Sequence, residues 1–98
     1  MNKFCTTIEQ SKKLLELGID VNTADMMHDR LIIIPFNDGS LIPAWSLSAL
    51  LRLMPNFNMF KRTIECKIET TNHLIDKACD PIDAAFEMIC WLKENEKI

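Results

Sequence analysis

Apolar residues recur at helical spacing over about 8–17. Ile8, Leu14, Leu15 and Leu17 share a face there, while Glu9, Lys12, Lys13 and Glu16 stay in water. The start of this predicted helix has two readings, because Thr6 with Glu9 and Thr7 with Gln10 both fit a capping box. Gly18 suits the left-handed position just past a helix, and Ile19 can fold back on Leu14. Turn formers dominate 20–30, where Thr23-Ala24-Asp25-Met26 is expected to make a single helical turn. Leu31-Ile32-Ile33-Ile34 is apolar on both faces and rich in β-branched residues, which predicts a buried strand stopped by Pro35. Asn37-Asp38-Gly39-Ser40 reads as a turn, and Leu41-Ile42 as a short return strand ended by Pro43.

A second helix is expected over about 47–54, bounded by Pro55. Ser46 is its natural N-cap, and Trp45 before the cap stands at staple distance from Leu50. Over 60–69 the pattern becomes period two: Phe60, Arg62, Ile64, Cys66 and Ile68 on one face, Lys61, Thr63, Glu65, Lys67 and Glu69 on the other. That predicts a strand, a turn at 70–72, and a weaker return strand over 73–78. The third helix opens with Asp80 as cap, Pro81 in the first position and Asp83 near the positive end of the dipole. Ile82, Ala85, Phe86, Ile89 and Leu92 form its apolar stripe, widened by Met88 and Trp91, and the polar tail 93–98 is expected to fray. The order is α-β-α-β-β-α. It predicts an α+β fold: a small antiparallel sheet of about three strands, with three helices packed mainly on one face. Residues 1–98 are expected to form a single globular domain.

Hydrophobic residues make up 48% and charged residues 26%, ordinary for a chain with one modest core and a stability on the order of 5–10 kcal/mol. No apolar run approaches the roughly 20 residues of a membrane span, and the N-terminus has no signal-peptide apolar region. Four widely spaced cysteines (Cys5, Cys66, Cys79, Cys90) fit free thiols in a reducing compartment, so a cytoplasmic location is expected. The net charge of −3 argues against a sequence-independent nucleic-acid binder. Its distribution is uneven, however: four basic residues (Arg52, Lys61, Arg62, Lys67) face one acid (Glu65) between 52 and 67.

Each candidate chemistry has a plainer alternative. His28, His73 and the cysteines show no close ligand pair of the kind zinc sites use, so no metal or other cofactor is expected. Cys66 and His73 could approach across a hairpin as a nucleophile and base, but an inward cysteine and a turn histidine suffice. Asp80, Asp83 and Glu87 share a helix face, and the helix dipole accounts for the first two. Arg52, Lys61, Arg62 and Lys67, with Phe57 and Phe60 nearby, have the ingredients of a strand-borne nucleic-acid face. Glu65 and Glu69 on the same face make a solvated mixed-charge surface the better reading. Trp45, Met54, Phe57 and Met59 cluster around the short helix, and such residues are enriched at protein interfaces.

Four segments carry a resemblance in the same order along the chain: Ser11-Lys12-Lys13-Leu14-Leu15-Glu16-Leu17-Gly18-Ile19-Asp20, Thr23-Ala24-Asp25-Met26, Trp45-Ser46-Leu47-Ser48-Ala49-Leu50-Leu51 with Pro55, and Asp80-Pro81-Ile82-Asp83-Ala84-Ala85-Phe86-Glu87-Met88-Ile89. Together they resemble a family of small uncharacterised phage and prophage proteins of gut anaerobes. The resemblance implies a mobile-element origin and no known chemistry. The expected function is therefore that of a non-enzymatic accessory protein binding another protein, or a second copy of itself, through the region around helix two. The alternative is a nucleic-acid-binding module using the local basic face. No membrane partner is expected.

Overall fold

The helices begin where a side-chain oxygen meets the first free amides. The computed structural model describes residues 4–30, 32–55, 57–61, 65–70, 73–78 and 80–98, and over 57–78 it describes the backbone and Leu74. It places α1 at Ile8–Glu16, α2 at Leu47–Arg52 and α3 at Pro81–Glu94. Thr7, not Thr6, caps α1: Gln10 N donates to Thr7 Oγ1 at 3.1 Å and Thr7 N to Gln10 Oε1 at 3.0 Å, a complete capping box. Thr6 turns inward and is buried against Ser11, their hydroxyl oxygens 2.8 Å apart. Ser46 caps α2 by accepting from Ala49 N, and Asp80 caps α3 by accepting from Ile82 N at 2.9 Å.

Two helix ends close in the same way. After α1, Ile19 N donates to Leu14 O and Gly18 N to Leu15 O, each at 3.0 Å, with Gly18 at φ +89°. This is the Schellman arrangement, and it returns Ile19 to Leu14 in the core as expected. After α3, Lys97 N donates to Leu92 O and Glu96 N to Lys93 O. Here the left-handed position is held by Glu96 at φ 56°, which has a Cβ to accommodate.

The fold is α+β, with the three helices expected and antiparallel three-stranded pairing. There are two such sheets. The first contains β1 (Met26–Asp29), β2 (Ile32–Ile34) and β3 (Ile42–Ala44) in the order β2-β1-β3. The second is a meander of β4 (Phe57–Lys61), β5 (Glu65–Thr70) and β6 (His73–Ala78).

The strand details depart from the sequence expectation in four places. A 3₁₀ turn occupies Val21–Thr23, and β1 follows it inside the stretch read as turns. Its polar His28 and Asp29 gave no strand signal, and pairing on both sides supplies the order. The isoleucine strand β2 is an edge, not a buried centre, so its side chains face water on both sides. Pro43 sits within β3 instead of ending it, which the opposite edge allows. Finally, the run over 60–69 divides into β4 and β5, with positions 62–64 outside the described residues.

The core joins the helices. Leu14 and Ile19 from α1 and its end, Ala49 and Leu50 from α2, and Ile82, Ala85, Met88, Ile89 and Leu92 from α3 form one buried cluster around Trp45. α1 and α3 lie side by side and run in the same direction. Gln10 Nε2 donates to Asp83 Oδ1 at 2.7 Å near their starts, and Lys93 Cε lies 3.7 Å from where a Gly18 Cβ would stand at their ends. The other face of α3 rests on β5 and β6.

The two Schellman ends predict substitutions of opposite sign. Gly18→Ala meets no steric obstacle within 3.7 Å, so its cost is the left-handed backbone alone, about 1 kcal/mol. Glu96→Gly relieves the same strain and should gain about 0.5 kcal/mol after the entropy of the added glycine is subtracted. Urea unfolding of the two variants beside the parent chain checks both signs.

Candidate interaction surface

Trp45 was the leading sequence candidate for a partner contact, and the structure places it elsewhere. Its ring is fully buried. The indole Nε1 donates to Thr23 Oγ1 at 2.9 Å, and the Thr23 hydroxyl passes its own proton to Asp20 O. The Trp45 backbone is paired in both directions with Thr6: Trp45 N donates to Thr6 Oγ1 at 3.1 Å and Thr6 N to Trp45 O at 2.9 Å. One residue on, Asp25 accepts from both Ser46 N and the Ser46 hydroxyl, which aims the Ser46 oxygen at the start of α2. Trp45 and Leu50 meet in the core as a hydrophobic staple. Trp45 is therefore architecture, and Met54 is buried in the same cluster. The side chains of Phe57 and Met59 lie outside the described residues.

Exposed apolar side chains occur among the described residues at Phe4, at Leu74 and, as a group, at the free edge of the first sheet. Ile32 is 61% exposed, Ile33 41% and Phe36 56%. The register shows what the backbone offers there. Met27 pairs with Ile34 on one side and Pro43 on the other. Pro43 has no N–H, so 27↔43 is the non-hydrogen-bonded type of antiparallel pair, and Met27 turns its N–H and C=O toward β2. Alternation then makes His28↔Ile33 a non-hydrogen-bonded pair. The N–H and C=O of Ile33 consequently point away from β1, into the open edge. Among the described residues no loop or turn backbone group bonds to Ile33. Sequence reasoning saw the isoleucines and read them as core, because an apolar run looks the same in a central strand and an exposed edge.

At the other edge the chain just past β3 is bridged to the approach to α1. There the chain around Thr6 lies along β3 through its bonds to Trp45, and His28 Nε2 donates to Thr6 O at 2.7 Å. The β2–β3 loop is held away from the free edge. Asn37 Nδ2 donates to Val21 O and Ala24 O, and Ser40 folds over Met27 Sδ. Asp38 is exposed in that loop, and the Ser40 hydroxyl and N–H hold its carboxyl below the usual carboxylate range.

The remaining candidates disperse. Cys66 pairs with Lys77 and His73 with Thr70, four residues apart along the hairpin, or about 13 Å, so the register does not bring a nucleophile to a base. Lys61 pairs with Cys66 and Phe60 with Lys67. Directly paired positions share a face, so positions 61 and 67 fall on opposite faces of the second sheet, unlike in a single long strand. Arg52 is exposed on α2, and Arg62 lies outside the described residues. Asp80 and Asp83 are engaged as a cap and as the acceptor of Gln10. A pocket of about 250 Å³ between the ends of α1 and α3 is lined by Gly18, Ile19, Leu53, Lys93 and Ile98 among others, an apolar crevice with Asp20 and Lys93 as its charged groups.

The described thiols are poorly suited to chemistry. Burial, with Asp25 nearby, pushes the Cys5 thiol up. Burial, reinforced by Glu94 and Glu87 against the opposing pull of Lys13, pushes Cys90 up to about 11. A nucleophilic cysteine needs the reverse shift.

Comparison of the chain with protein-family models, characterised proteins and solved structures gave no match.

Two expectations follow. Trp45→Ala removes the ring around which the helices pack and should cost about 3–5 kcal/mol, so urea unfolding followed by circular dichroism should show a midpoint far below that of the parent chain. The raised thiols favour the protonated form in the fold, so their contribution is intact below pH 9 and is lost as pH rises from the unfolded value of 9.0 through about 11. Thermal unfolding at pH 7.5 and 10.5 should show a lower midpoint at the higher pH, with a smaller drop in Cys90→Ala.

Proposed function

We propose that this chain is a small non-enzymatic accessory protein of a phage or prophage, working in the cytoplasm by binding another protein chain. The binding element is the free edge of β2. The observation that carries this reading is the coincidence of an outward-facing Ile33 peptide group with exposed Ile32, Ile33 and Phe36. An extended chain laid along such an edge gains main-chain hydrogen bonds and covers apolar side chains on both faces of the sheet. Soluble proteins usually guard such edges with charge, and 31–36 contains no charged residue. The resemblance to phage and prophage proteins supports the accessory role. Support for the cytoplasmic setting comes from the two free thiols, Cys5 and Cys90, and from the lack, among the described residues, of any helix long and apolar enough to cross a membrane.

The test is retention of protein on the immobilised chain, either from a lysate of a bacterial host or from an added untagged copy. Ile32→Lys combined with Ile33→Lys places two cations on the edge without disturbing the core. Retention should fall at least about tenfold with this variant, as edge charges suppress strand addition. Equal retention by parent and variant would remove the edge from consideration. Binding of nucleic acid by both would favour the basic residues instead.

A further inference from the structure

We infer that the Asp38–Gly39 peptide is a site of spontaneous isoaspartate formation that the β2–β3 loop holds in check, with Asn37 and Ser40 as the residues that restrain it. Asp38 is the one aspartate in the chain that precedes a glycine. The chemistry needs the Gly39 nitrogen to reach Asp38 Cγ, and a residue without a Cβ hinders that approach least. Asp38, Gly39 and Ser40 are exposed. Beyond its chain neighbours, no atom lies within 4 Å of where a Gly39 Cβ would stand, so the loop has room for a ring.

The step balances without an added reactant. Gly39 N bonds to Asp38 Cγ, the Gly39 amide proton and the carboxyl hydroxyl leave as water, and a cyclic imide joins the two residues. Water then opens the imide at either carbonyl. Opening at the backbone carbonyl leaves the chain running through the former side chain. The product is an isoaspartate of unchanged mass with one extra backbone carbon.

Both reacting groups are engaged in the fold. Gly39 N donates to Asn37 Oδ1 at 3.1 Å, which turns it toward Asn37 and away from Asp38 Cγ. Asn37 is itself fixed, because its Nδ2 donates to Val21 O at 3.0 Å and Ala24 O at 3.1 Å. The Asp38 carboxyl accepts from Ser40 N at 2.9 Å and from the Ser40 hydroxyl. Those donors favour the carboxylate, whereas the ring closes from the protonated acid, whose hydroxyl can leave. Ring closure removes the Gly39 N–H and one Asp38 oxygen, so Asn37 and Ser40 each lose a partner. The added backbone carbon shifts Ser40 relative to the new carboxylate, so the loop does not return to its native bonding. Conversion at position 38 is thus a one-way release of the connection between β2 and β3.

The test incubates the folded chain, the same chain in guanidinium chloride, and the Asn37→Ala and Ser40→Ala variants at neutral pH. Digestion with an endoproteinase that cuts before aspartate but not isoaspartate, followed by mass spectrometry, reads the fraction converted at position 38. Conversion should be at least about tenfold slower in the folded parent than in guanidinium chloride, since the loop must open first. Ser40→Ala should convert about three- to tenfold faster than the parent, the effect of one lost hydrogen bond, and Asn37→Ala at least as fast as Ser40→Ala. Unfolding midpoints close to the parent's place the acceleration in the loop. Ser40→Ala carries the test if Asn37→Ala, which also loses the anchor to Val21 and Ala24, weakens the whole fold. Equal rates in the folded and denatured parent overturn restraint by the loop. Equal rates in the parent and Ser40→Ala overturn the assignment of that restraint. No isoaspartate at position 38 in any sample overturns the site itself.

Discussion

The two-way hydrogen bonding between Thr6 and Trp45 is the constraint on which the rest of this structure depends. It ties the approach to α1 onto the end of β3. The same backbone sets the entry to α2, because Ser46 follows Trp45 directly and is aimed by Asp25. The indole is held at its rim by Thr23, so its apolar body can be fully buried without stranding the N–H. Among the described residues no buried side-chain nitrogen or oxygen lacks a partner. A polar network in the middle of a small core is tolerable only when satisfied in this way.

That clamp also explains the contrast between the two edges of the first sheet. Just past β3, Thr6 is bonded to Trp45. At β2 the hairpin turns at Arg30, and the chain then leaves toward Val21 and Ala24, anchored by Asn37. Nothing in that route brings backbone to the outer side of Ile33. The two edges of this three-stranded sheet therefore differ in what lies beside them. The Thr6 side contributes to the core, and Ile33 at the other side stays exposed.

Local chemistry was legible in the sequence, and pairing was not. The caps at Ser46 and Asp80, the glycine at 18 and the staple of Trp45 on Leu50 all depend on neighbours within five residues, and each was read correctly. Thr6 and Thr7 were indistinguishable as caps, because the choice is made by Ser11 and by Trp45, 39 residues away. β1 was invisible because His28 and Asp29 owe their strand conformation to two partners and not to their own preferences. The isoleucine run was seen and misplaced. Burial of a strand is decided by how many neighbours it acquires, which its composition does not encode. Lys61 and Lys67 share a face only in one unbroken strand, and the pairing of β4 with β5 puts positions 61 and 67 on opposite faces. Trp45 was expected at a contact and is buried in the core for a related reason. An aromatic ring is equally valuable inside a core and at a contact, and only the placement of Thr23 separates the two.

The side-by-side packing of α1 and α3 has a consequence for synthesis. These helices are separated by more than sixty residues, and their bond between Gln10 and Asp83 spans 73 positions. During translation the amphipathic α1 emerges early and has no partner for its apolar face. The core cannot close until α3 has left the ribosome, and loop closure over such a distance is slow compared with forming either helix. For that interval the isoleucine strand is exposed beside an unfinished core. A nascent chain in that state depends on its neighbours in the cell to remain unaggregated, and the dwell time before α3 emerges sets how long that dependence lasts.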